Sequence, residues 1–262
     1  MKNTWLKHID IDTGLLISIK DEYHKMLREK PRSAVVKRYL DEFRIAFVYN
    51  TNAIEGNPIT HNDTDFIINS NAFLEKYSAT HNMEVVGSNK AYNFILSLPD
   101  MTAETLLCIH KRVLFFDEEN AGVFRKTPVH VGDKQMLDAD SISEEIKRLF
   151  EMDEPDLFRH IAIFHLRLEN IHPFVDGNGR AGRLMINLQL MKAGFLPINI
   201  KYIDTGRYYR CFRQFDTAYE KGAQEMFNLI TKYEYEELNG IMEAIRLNSR
   251  SNNSPLRKND RD

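Results

Sequence analysis

The chain has 262 residues, 43% hydrophobic and 28% charged, which are ordinary proportions for a globular protein long enough to bury a substantial core. Its 35 basic and 38 acidic side chains give a net charge of −3, so the charge disfavours nucleic acid and anionic membranes as partners. Two cysteines are too few for a disulfide framework and no apolar run reaches the roughly 18 residues of a membrane span, so we expect a cytoplasmic protein with Cys108 and Cys211 as buried thiols.

Residues 1–58 are predicted to form an N-terminal helical region. Apolar residues recur at spacings of three and four from Thr13 to Lys30, and a second stripe of this kind begins at Ser33. The second helix should end at Gly56-Asn57-Pro58, because glycine and proline together are a strong stop signal.

Residues 59–248 are predicted to form the core of the protein. Thr60 with Asp63 three residues later resembles a capping box, so we expect a helix to begin there. Another helix is predicted over roughly residues 83–98, closed by Pro99. Its inward-facing residues should be Val86, Ala91, Phe94 and Leu98.

Signals of the same kind continue along the core. Thr102 should begin one helix, Ser141 with Glu144 should cap another, and Pro155 should occupy the first turn of a third. Between the first two, residues 129–136 alternate around a Gly-Asp turn and predict a β-hairpin. The fold class is therefore all-α with one small hairpin.

The last part of the sequence again reads as helical. Helices are predicted up to Gly194, from Thr205 to about Glu220, and over roughly residues 223–247. Residues 249–262 are polar and charged and are predicted to be a disordered tail.

The stretch from Ile171 to Arg183 concentrates polar residues and glycines between two of these helices. Pro173 disfavours helical conformation at the preceding residue, which leaves His172 in the loop after the helix. Gly177 and Gly179 lead into the next helix, so several backbone N–H groups should point at one spot beside a positive helix end. Such a turn predicts an anion-binding cradle.

The charged residues of this stretch suit a nucleotide with its metal ion. Arg180 and Arg183 lie three residues apart, where both guanidiniums could reach phosphate oxygens. Asp176 beside an anion site makes sense if magnesium accompanies a polyphosphate, and His172 could take a proton from an incoming hydroxyl. Each residue alone also fits an ordinary role as a helix cap, a solvated arginine or a loop histidine. Their concentration in thirteen residues favours nucleotidyl or phosphoryl transfer.

Two other nucleotide-binding motifs fit this sequence poorly. Residues 177–182 satisfy G-x-G-x-x-G, and Asp204 follows at about the distance of a ribose-binding acid. A dinucleotide fold, however, needs a strand before the first glycine, and here a predicted helix and a His-Pro break precede it. The chain also lacks the G-x-x-x-x-G-K-[ST] sequence of a P-loop enzyme.

The segment from His172 to Arg183 resembles the Fic-family signature H-P-F-x-[D/E]-G-N-G-R-x-x-R at every specified position. The similarity extends to Gly122-Val123-Phe124-Arg125 with the hairpin after it and to Tyr208-Tyr209, so it covers roughly residues 50–235. Fic proteins are α-helical, and most transfer AMP from ATP to a Ser, Thr or Tyr hydroxyl of a protein, releasing pyrophosphate. The resemblance implies a Fic-type helical core with a β-hairpin flap and an N-terminal helical extension.

The resemblance also implies roles for individual residues. His172 would be the general base and Asp176 a magnesium ligand. The nucleotide-binding residues would be Gly177, Asn178, Gly179, Arg180, Gly182, Arg183 and Tyr208. The target-docking flap would comprise Val129, His130, Val131 and Gly132, an edge to which a protein target adds as a strand. Asp216 departs from the Asn common in relatives, which leaves the preference for the nucleotide base open. The identity of the target protein and the existence of a homo-oligomer also stay open. His110 and His165 are expected to be core residues or neighbours of the site.

Residues 51–57, Thr-Asn-Ala-Ile-Glu-Gly-Asn, are similar to the family's inhibitory motif [S/T]-x-x-x-E-[G/N]. Glu55 would lie at the C-terminal end of its helix, where the helix dipole disfavours an anion and a cationic partner would relieve it. The resemblance names Arg183 as that partner and implies an autoinhibited protein adenylyltransferase; a solvated glutamate is the plain structural alternative. Removal of AMP, with Glu55 orienting a water, and a non-catalytic nucleotide-binding regulator stay open as alternative functions.

Overall fold

The computed structural model describes residues 11–29 and 34–252, and this part of the chain folds as helices with one small hairpin. The helices are α1 (Thr13–Glu29), α2 (Ala34–Ile54), α3 (His61–Ser70), α4 (Ala79–Ile95), α5 (Ala103–Val113), α6 (Ile142–Phe150), α7 (Leu157–Ile171), α8 (Asn178–Lys192), α9 (Thr205–Thr217) and α10 (Tyr219–Asn252). The antiparallel strands are β1 (His130–Val131) and β2 (Lys134–Gln135), with His130 opposite Gln135. The predicted all-α class with one hairpin is confirmed.

Helices α7 and α8 lie at the centre of the fold and meet at the motif. One apolar cluster joins them to α1, α9 and α10, and a second joins them to α2, α4, α5 and α6. Helix α8 is buried on nearly every side, and its buried residues include the apolar Leu184, Met185, Ile186 and Leu188. Each such apolar side chain stabilises the fold by about 1.5–3 kcal/mol, so the motif is attached to a well-buried helix.

Several predicted helix starts are confirmed. The Thr60 hydroxyl accepts a hydrogen bond from the Asp63 N–H at 3.2 Å, and the Thr102 hydroxyl accepts one from the Thr105 N–H at 3.2 Å. The predicted helix start at Ser33 lies outside the described residues.

The prediction for the fourth helix was displaced along the chain. Helix α4 begins at Ala79 because the Ser78 hydroxyl accepts a hydrogen bond from His81 N–H, and it ends at Ile95. Leu98, predicted to face inward, is 43% exposed beyond the helix end. Val86 and Phe94 are only partly buried, whereas Ala91 is buried as predicted.

The structure differs from two further predicted helix starts and from the predicted burial of one cysteine. Ser141 makes no capping hydrogen bond, because a 3₁₀ turn over residues 139–141 precedes α6 and Asp138 caps that turn. Pro155 lies before α7 rather than in its first turn; the cap is Asp156. Cys108 is exposed rather than buried.

The C-terminal part of the chain is more helical than predicted. Helix α9 ends at Thr217, and α10 begins at Tyr219 and continues to Asn252. Residues 249–252 are therefore helical rather than disordered, and the rest of the predicted tail, 253–262, lies outside the described residues. None of the described helices is both long and apolar enough to cross a membrane.

The close packing of α4 on α5 gives a test of the fold. A Cβ added at Gly87 would lie 2.2 Å from the Val113 carbonyl oxygen, and backbone cannot rotate away as a side chain could. We expect Gly87→Ala to reduce the free energy of unfolding by about 1–3 kcal/mol. Gly206→Ala, also helical but with nothing within 4 Å, should be neutral or gain about 0.5–1 kcal/mol. Urea denaturation compares them, and equal midpoints would contradict the packing described.

Candidate active site

A cavity of about 550 Å³ opens where the hairpin, the α7–α8 loop, α9 and the end of α2 come together. Most residues predicted for the site line it: Glu55, Val131, Gly132, His172, Asp176, Gly177, Asn178, Gly179, Arg183 and Tyr208. Four predicted residues are not part of the wall, namely Val129, His130, Arg180 and Gly182. The structure thus brings the predicted base, carboxylate, glycine turn and inhibitory glutamate to one place.

His172 ends α7 in a left-handed backbone conformation, with φ 49° and ψ 61°. Its N–H donates to the Leu168 carbonyl at 3.0 Å and so closes the helix, as the sequence predicted. Burial lowers the pKa of the imidazole, an effect opposed by the Glu169 carbonyl and reinforced by Arg125. The lowered pKa keeps the ring neutral near pH 7, the form that can accept a proton.

Arg125 connects the His172 loop to the hairpin. Its Nε donates to the His172 carbonyl at 2.8 Å, and its backbone N–H donates to the Pro173 carbonyl at 2.9 Å. The two other guanidinium nitrogens donate to the carbonyls of Thr127, at 2.9 Å, and Leu137, at 2.5 Å, on either side of the hairpin. One buried side chain therefore fixes the base of the hairpin relative to His172, a role that the sequence did not reveal.

His110 holds the other end of the loop. Its Nδ1 accepts a hydrogen bond from the Gly122 N–H at 2.9 Å, so its Nε2 carries the proton and donates to the Asp176 carbonyl at 2.8 Å. The ring stacks on Phe174 with centroids 3.6 Å apart, and burial lowers its pKa to about 4. His110 is a buried neutral residue, as expected, and it positions the start of the glycine turn.

The glycine turn forms the N-terminus of α8. Gly177 caps the helix with φ 76°, which favours glycine, and the Asn178 side chain is bonded to both backbone groups of Phe174 at 2.9 Å. A Cβ on Gly179 would lie 2.2 Å from Glu55 Oε1, so the Glu55 carboxylate rests directly on this helix end. The positive end of the α8 dipole stabilises a negative group in this position.

The two motif arginines diverge, which corrects the expectation that both reach one ligand. Arg180 is 1% exposed, and its guanidinium pairs with Glu84 at 3.2 Å and with Asp176 at 2.9 Å. It points from α8 toward α4, whereas Arg183 points toward α2. Arg180 therefore orients the Asp176 carboxylate and does not face the cavity.

Gly182 is also placed differently from the nucleotide-binding role implied for it. A Cβ there would lie 2.8 Å from Glu169 Oε1 and 2.9 Å from the His165 ring. The missing side chain allows α7 and α8 to approach closely behind the cavity wall.

Arg183 forms the predicted pair with Glu55. Its NH2 donates to Glu55 Oε1 at 2.6 Å and to the Thr51 carbonyl at 2.9 Å, and its Nε donates to the Thr51 hydroxyl at 2.8 Å. Its NH1 donates to the Tyr208 hydroxyl at 3.3 Å. The guanidinium is 3% exposed while the Glu55 side chain is 33% exposed, so the carboxylate is the side of the pair that faces the cavity.

Side chains of the cavity wall donate hydrogen bonds to the last turn of α2. Helix carbonyls 51–54 have no partners within the helix and need other donors. The backbone N–H groups of residues 55–57 bond to the middle two, while Arg183 bonds to the first and the Tyr209 hydroxyl bonds to the last at 3.2 Å. Two side chains of the site therefore cap the helix that carries Glu55.

Tyr208 and Tyr209 contribute in different ways. The Tyr208 hydroxyl is held by His165 Nε2 at 2.7 Å and by Arg183, so this residue lines the cavity with its hydroxyl already engaged. Tyr209 is 38% exposed and also lines the cavity. Sequence reasoning assigned no separate role to Tyr209, because its hydrogen-bond partner, Ile54, lies 155 residues away.

Glu169 is a further acidic residue in the wall, besides Glu55, Asp176 and Asp216, and the sequence did not single it out. Burial and then the charge of Glu55 raise the pKa of its carboxyl to about 8, so it keeps its proton at pH 7. Its Oε1 is buried without a hydrogen-bond partner among the described residues, and its Oε2 lies 3.9 Å from His172 Nδ1.

Asp176 is the wall residue best suited to hold a divalent cation. Its side chain is 65% exposed, and its oxygens accept hydrogen bonds from Gly177 N–H at 2.6 Å and from Arg180 at 2.9 Å. The described residues contain no group of three or more acidic, His or Cys side chains that could enclose a metal ion. One oriented carboxylate fits magnesium that takes its remaining ligands from phosphate and water.

Comparisons with known proteins show which proteins the chain resembles. The sequence pattern described as the Fic/DOC family matches residues 100–190. The chain is 30% identical over 216 residues to "Protein adenylyltransferase Fic" of Nematostella vectensis, covering 78% of this chain and 51% of that protein. It is 32% identical over 215 residues to "Protein adenylyltransferase fic-1" of Caenorhabditis elegans, covering 76% and 42%. The chain thus spans about half the length of these curated relatives or less.

Solved structures share the fold. A structure of Fic-1 from C. elegans has a TM-score of 0.76 at 27% identity, covering 89% of this chain and 72% of that chain. A Fic domain containing signaling protein from Bacteroides thetaiotaomicron has a TM-score of 0.78 at 19% identity, covering 88% and 96%.

The buried Glu169 should make stability depend on pH. The pKa of its carboxyl is about 8 in the folded chain and 4.5 in the unfolded chain. As the pH rises from 4.5 to 8, the free energy of unfolding should therefore fall by about 1.4 kcal/mol per pH unit. The amide of Glu169→Gln does not titrate. The free energy of unfolding of this variant, minus that of the native chain, should therefore increase from pH 5 to pH 8 in urea denaturation. Glu243→Gln, at an exposed position of α10, is the control. A difference that stays constant with pH would contradict a protonated Glu169.

Proposed function

We propose that this chain, which belongs to the Fic/DOC family, is an autoinhibited protein adenylyltransferase that transfers AMP from Mg-ATP to a Ser, Thr or Tyr hydroxyl of a target protein. The observation that carries the proposal is the meeting, in one cavity, of the neutral His172 imidazole with a glycine turn at a helix N-terminus. A base beside an anion cradle is the arrangement that phosphoryl chemistry on a hydroxyl requires.

The reaction follows from the roles of these groups. The phosphates of ATP bind to the N–H groups of residues 177–179, and His172 accepts the proton of the target hydroxyl. The hydroxyl oxygen forms a bond to the α-phosphorus while the bond from that phosphorus to the bridging oxygen breaks, and pyrophosphate leaves. The nearby helix end stabilises the negative charge that develops on the phosphate oxygens.

Asp176 would hold the magnesium ion that accompanies ATP. The bound ion would neutralise charge on the phosphates and assist departure of pyrophosphate. Arg180 prepares Asp176 for this role by fixing the carboxylate through a buried ion pair, with Glu84 as the second partner of that arginine.

The hairpin is suited to binding the target. All four strand residues of β1 and β2 are exposed, and no third strand pairs with them among the described residues. A segment of target can therefore add to an edge of this flap, with Arg125 holding the hairpin base beside His172.

Glu55 supplies the autoinhibition in this proposal. Its carboxylate rests against Gly179 and pairs with Arg183, so it occupies space and a cation that a terminal phosphate of ATP would use. The same position supports one alternative, since a carboxylate that faces the cavity with His172 could orient a water and remove AMP from a modified target.

Variants of Glu55 and His172 test the proposal. We expect Glu55→Gly to raise transfer of label from [α-³²P]ATP to lysate proteins by roughly tenfold or more, because it frees a phosphate site worth at least about 1.4 kcal/mol. Adding His172→Ala should lower this transfer by about a hundredfold or more, because the base is lost. Mass spectrometry would identify the modified hydroxyls.

The matched control is Glu151→Gly, which replaces an exposed glutamate that also follows a helix C-terminus. Its labelling should equal that of the native chain. Equal labelling by the Glu55 variant with and without His172 would sink the proposal. Glu55-dependent release of AMP from labelled target, without forward transfer, would select the alternative.

The pH dependence follows from the lowered pKa of His172. Since the base is active when neutral, kcat/KM of the Glu55→Gly variant should fall only below the 6.5 of an ordinary imidazole and stay level above pH 7. A pH–rate profile measures the midpoint of the acidic limb. A midpoint above 6.5 would contradict a desolvated neutral base.

A further inference from the structure

We propose that Lys134, Asn170 and Asp216 form a polar latch that fastens the tip of the hairpin across the mouth of the cavity and so positions the flap for transfer to the target hydroxyl. The structural part of this proposal stands on contacts alone, and its consequence for transfer rests on the proposed function. None of the three residues is needed for the phosphate chemistry described above.

The latch is a closed triangle of contacts. Lys134 Nζ lies 2.6 Å from Asp216 Oδ1 and 3.1 Å from Asn170 Oδ1. Asn170 Nδ2 donates to the same Asp216 oxygen at 3.1 Å. Each side chain bonds to both others, so the geometry of the three is fixed together.

The three residues come from three different walls of the cavity. Lys134 is the first residue of β2, immediately after the hairpin turn, Asn170 lies two residues before His172 on α7, and Asp216 lies near the end of α9. All three line the cavity. The latch therefore sets the position of the hairpin tip relative to α7, the helix that ends beside His172.

The two ends of the hairpin are held differently. Its base is attached by buried Arg125, which bonds to the carbonyls of Thr127 and Leu137. Its tip is attached through the partly exposed Lys134 and Asp216, whose side chains are 43% and 32% exposed. The base of the hairpin is therefore held by buried hydrogen bonds, and the tip is the end whose attachment can open to solvent.

The strength of the latch suits reversible opening. A hairpin with two residue pairs, all exposed, is marginally stable by itself, so its position depends on its attachments. Partly exposed ion pairs contribute little to stability and are screened by salt. A pair of this kind shifts an open–closed equilibrium by a few-fold, enough to favour one flap position without locking it.

Hydrogen exchange on the millisecond scale tests the latch directly. In Lys134→Met and in Asp216→Asn, we expect the segment 129–136 to exchange roughly two- to fivefold faster than in the native chain. The exchanged-charge double variant Lys134→Asp, Asp216→Lys should recover protection relative to both single variants. Added salt should accelerate exchange in the native chain but not in Lys134→Met.

Lys192→Met is the matched control, since it removes a lysine of similar exposure from a surface ion pair with Asp100. It should leave exchange of segment 129–136 unchanged. Native exchange rates in both single variants, or no recovery in the double variant, would overturn the latch.

The consequence for transfer is measured in the Glu55→Gly background with a modified target identified there. Each single latch variant should raise KM for the target several-fold, and the double variant should restore KM. In Lys134→Met, which changes no residue assigned to the nucleotide, the dissociation constant of a non-hydrolysable ATP analogue should change less than twofold. Unchanged KM in both single variants would overturn the positioning role. Absence of transfer in Glu55→Gly itself would overturn the proposed function, while the exchange measurements would still decide whether the latch exists.

Discussion

The structure depends on a tight turn between two buried helices, because α7 and α8 can pack only if the chain reverses at residues 172–177. The turn includes His172 in a left-handed conformation, which costs about 1–2 kcal/mol for a non-glycine residue. Hydrogen bonds from Arg125 to its first carbonyls and from His110 to its last one offset that cost. The turn is thus held from outside at two places, by His110 of α5 and by Arg125 of the segment that leads into the hairpin. Through Arg125 the cavity wall and the flap are joined.

A second constraint is the buried charge of Arg183. A guanidinium removed from water is stable only when its donors are bonded, and here the partners are Thr51 and Glu55 beside the end of α2 and Tyr208 from α9. Loss of those partners would leave the charge unsatisfied in the core. The contacts of Arg183 therefore tie the end of α2 to the core, even though α2 precedes the family's matched segment in the sequence.

The sequence predicts what is local and misses what depends on distant partners. The His172 loop, the glycine turn and the Thr60 and Thr102 caps follow from neighbouring residues, and the resemblance supplied the Glu55–Arg183 pair across 128 residues. The spacing of Arg180 and Arg183 predicted that both could reach one ligand and did not reveal that they diverge, because helical spacing does not say which neighbouring helix each side chain faces. The roles of Arg125, Glu169 and Tyr209 could not be read, because each rests on contacts or burial that only the folded chain creates.

The capping of α2 by Arg183 and Tyr209 has a consequence for how the site responds to its surroundings. Under the proposed function, the last turn of α2 would act as a tethered competitor of any anion that needs Arg183, at an effective concentration set by the fold and not by the cell. Such coupling is reciprocal: an anion that binds Arg183 would destabilise the last turn of α2, and a change that destabilises this turn would raise the affinity of the site for the anion. Helix α2 also packs on α4 and α10, so under the same proposal a perturbation of those remote contacts would reach the cavity by changing how strongly the turn competes for Arg183.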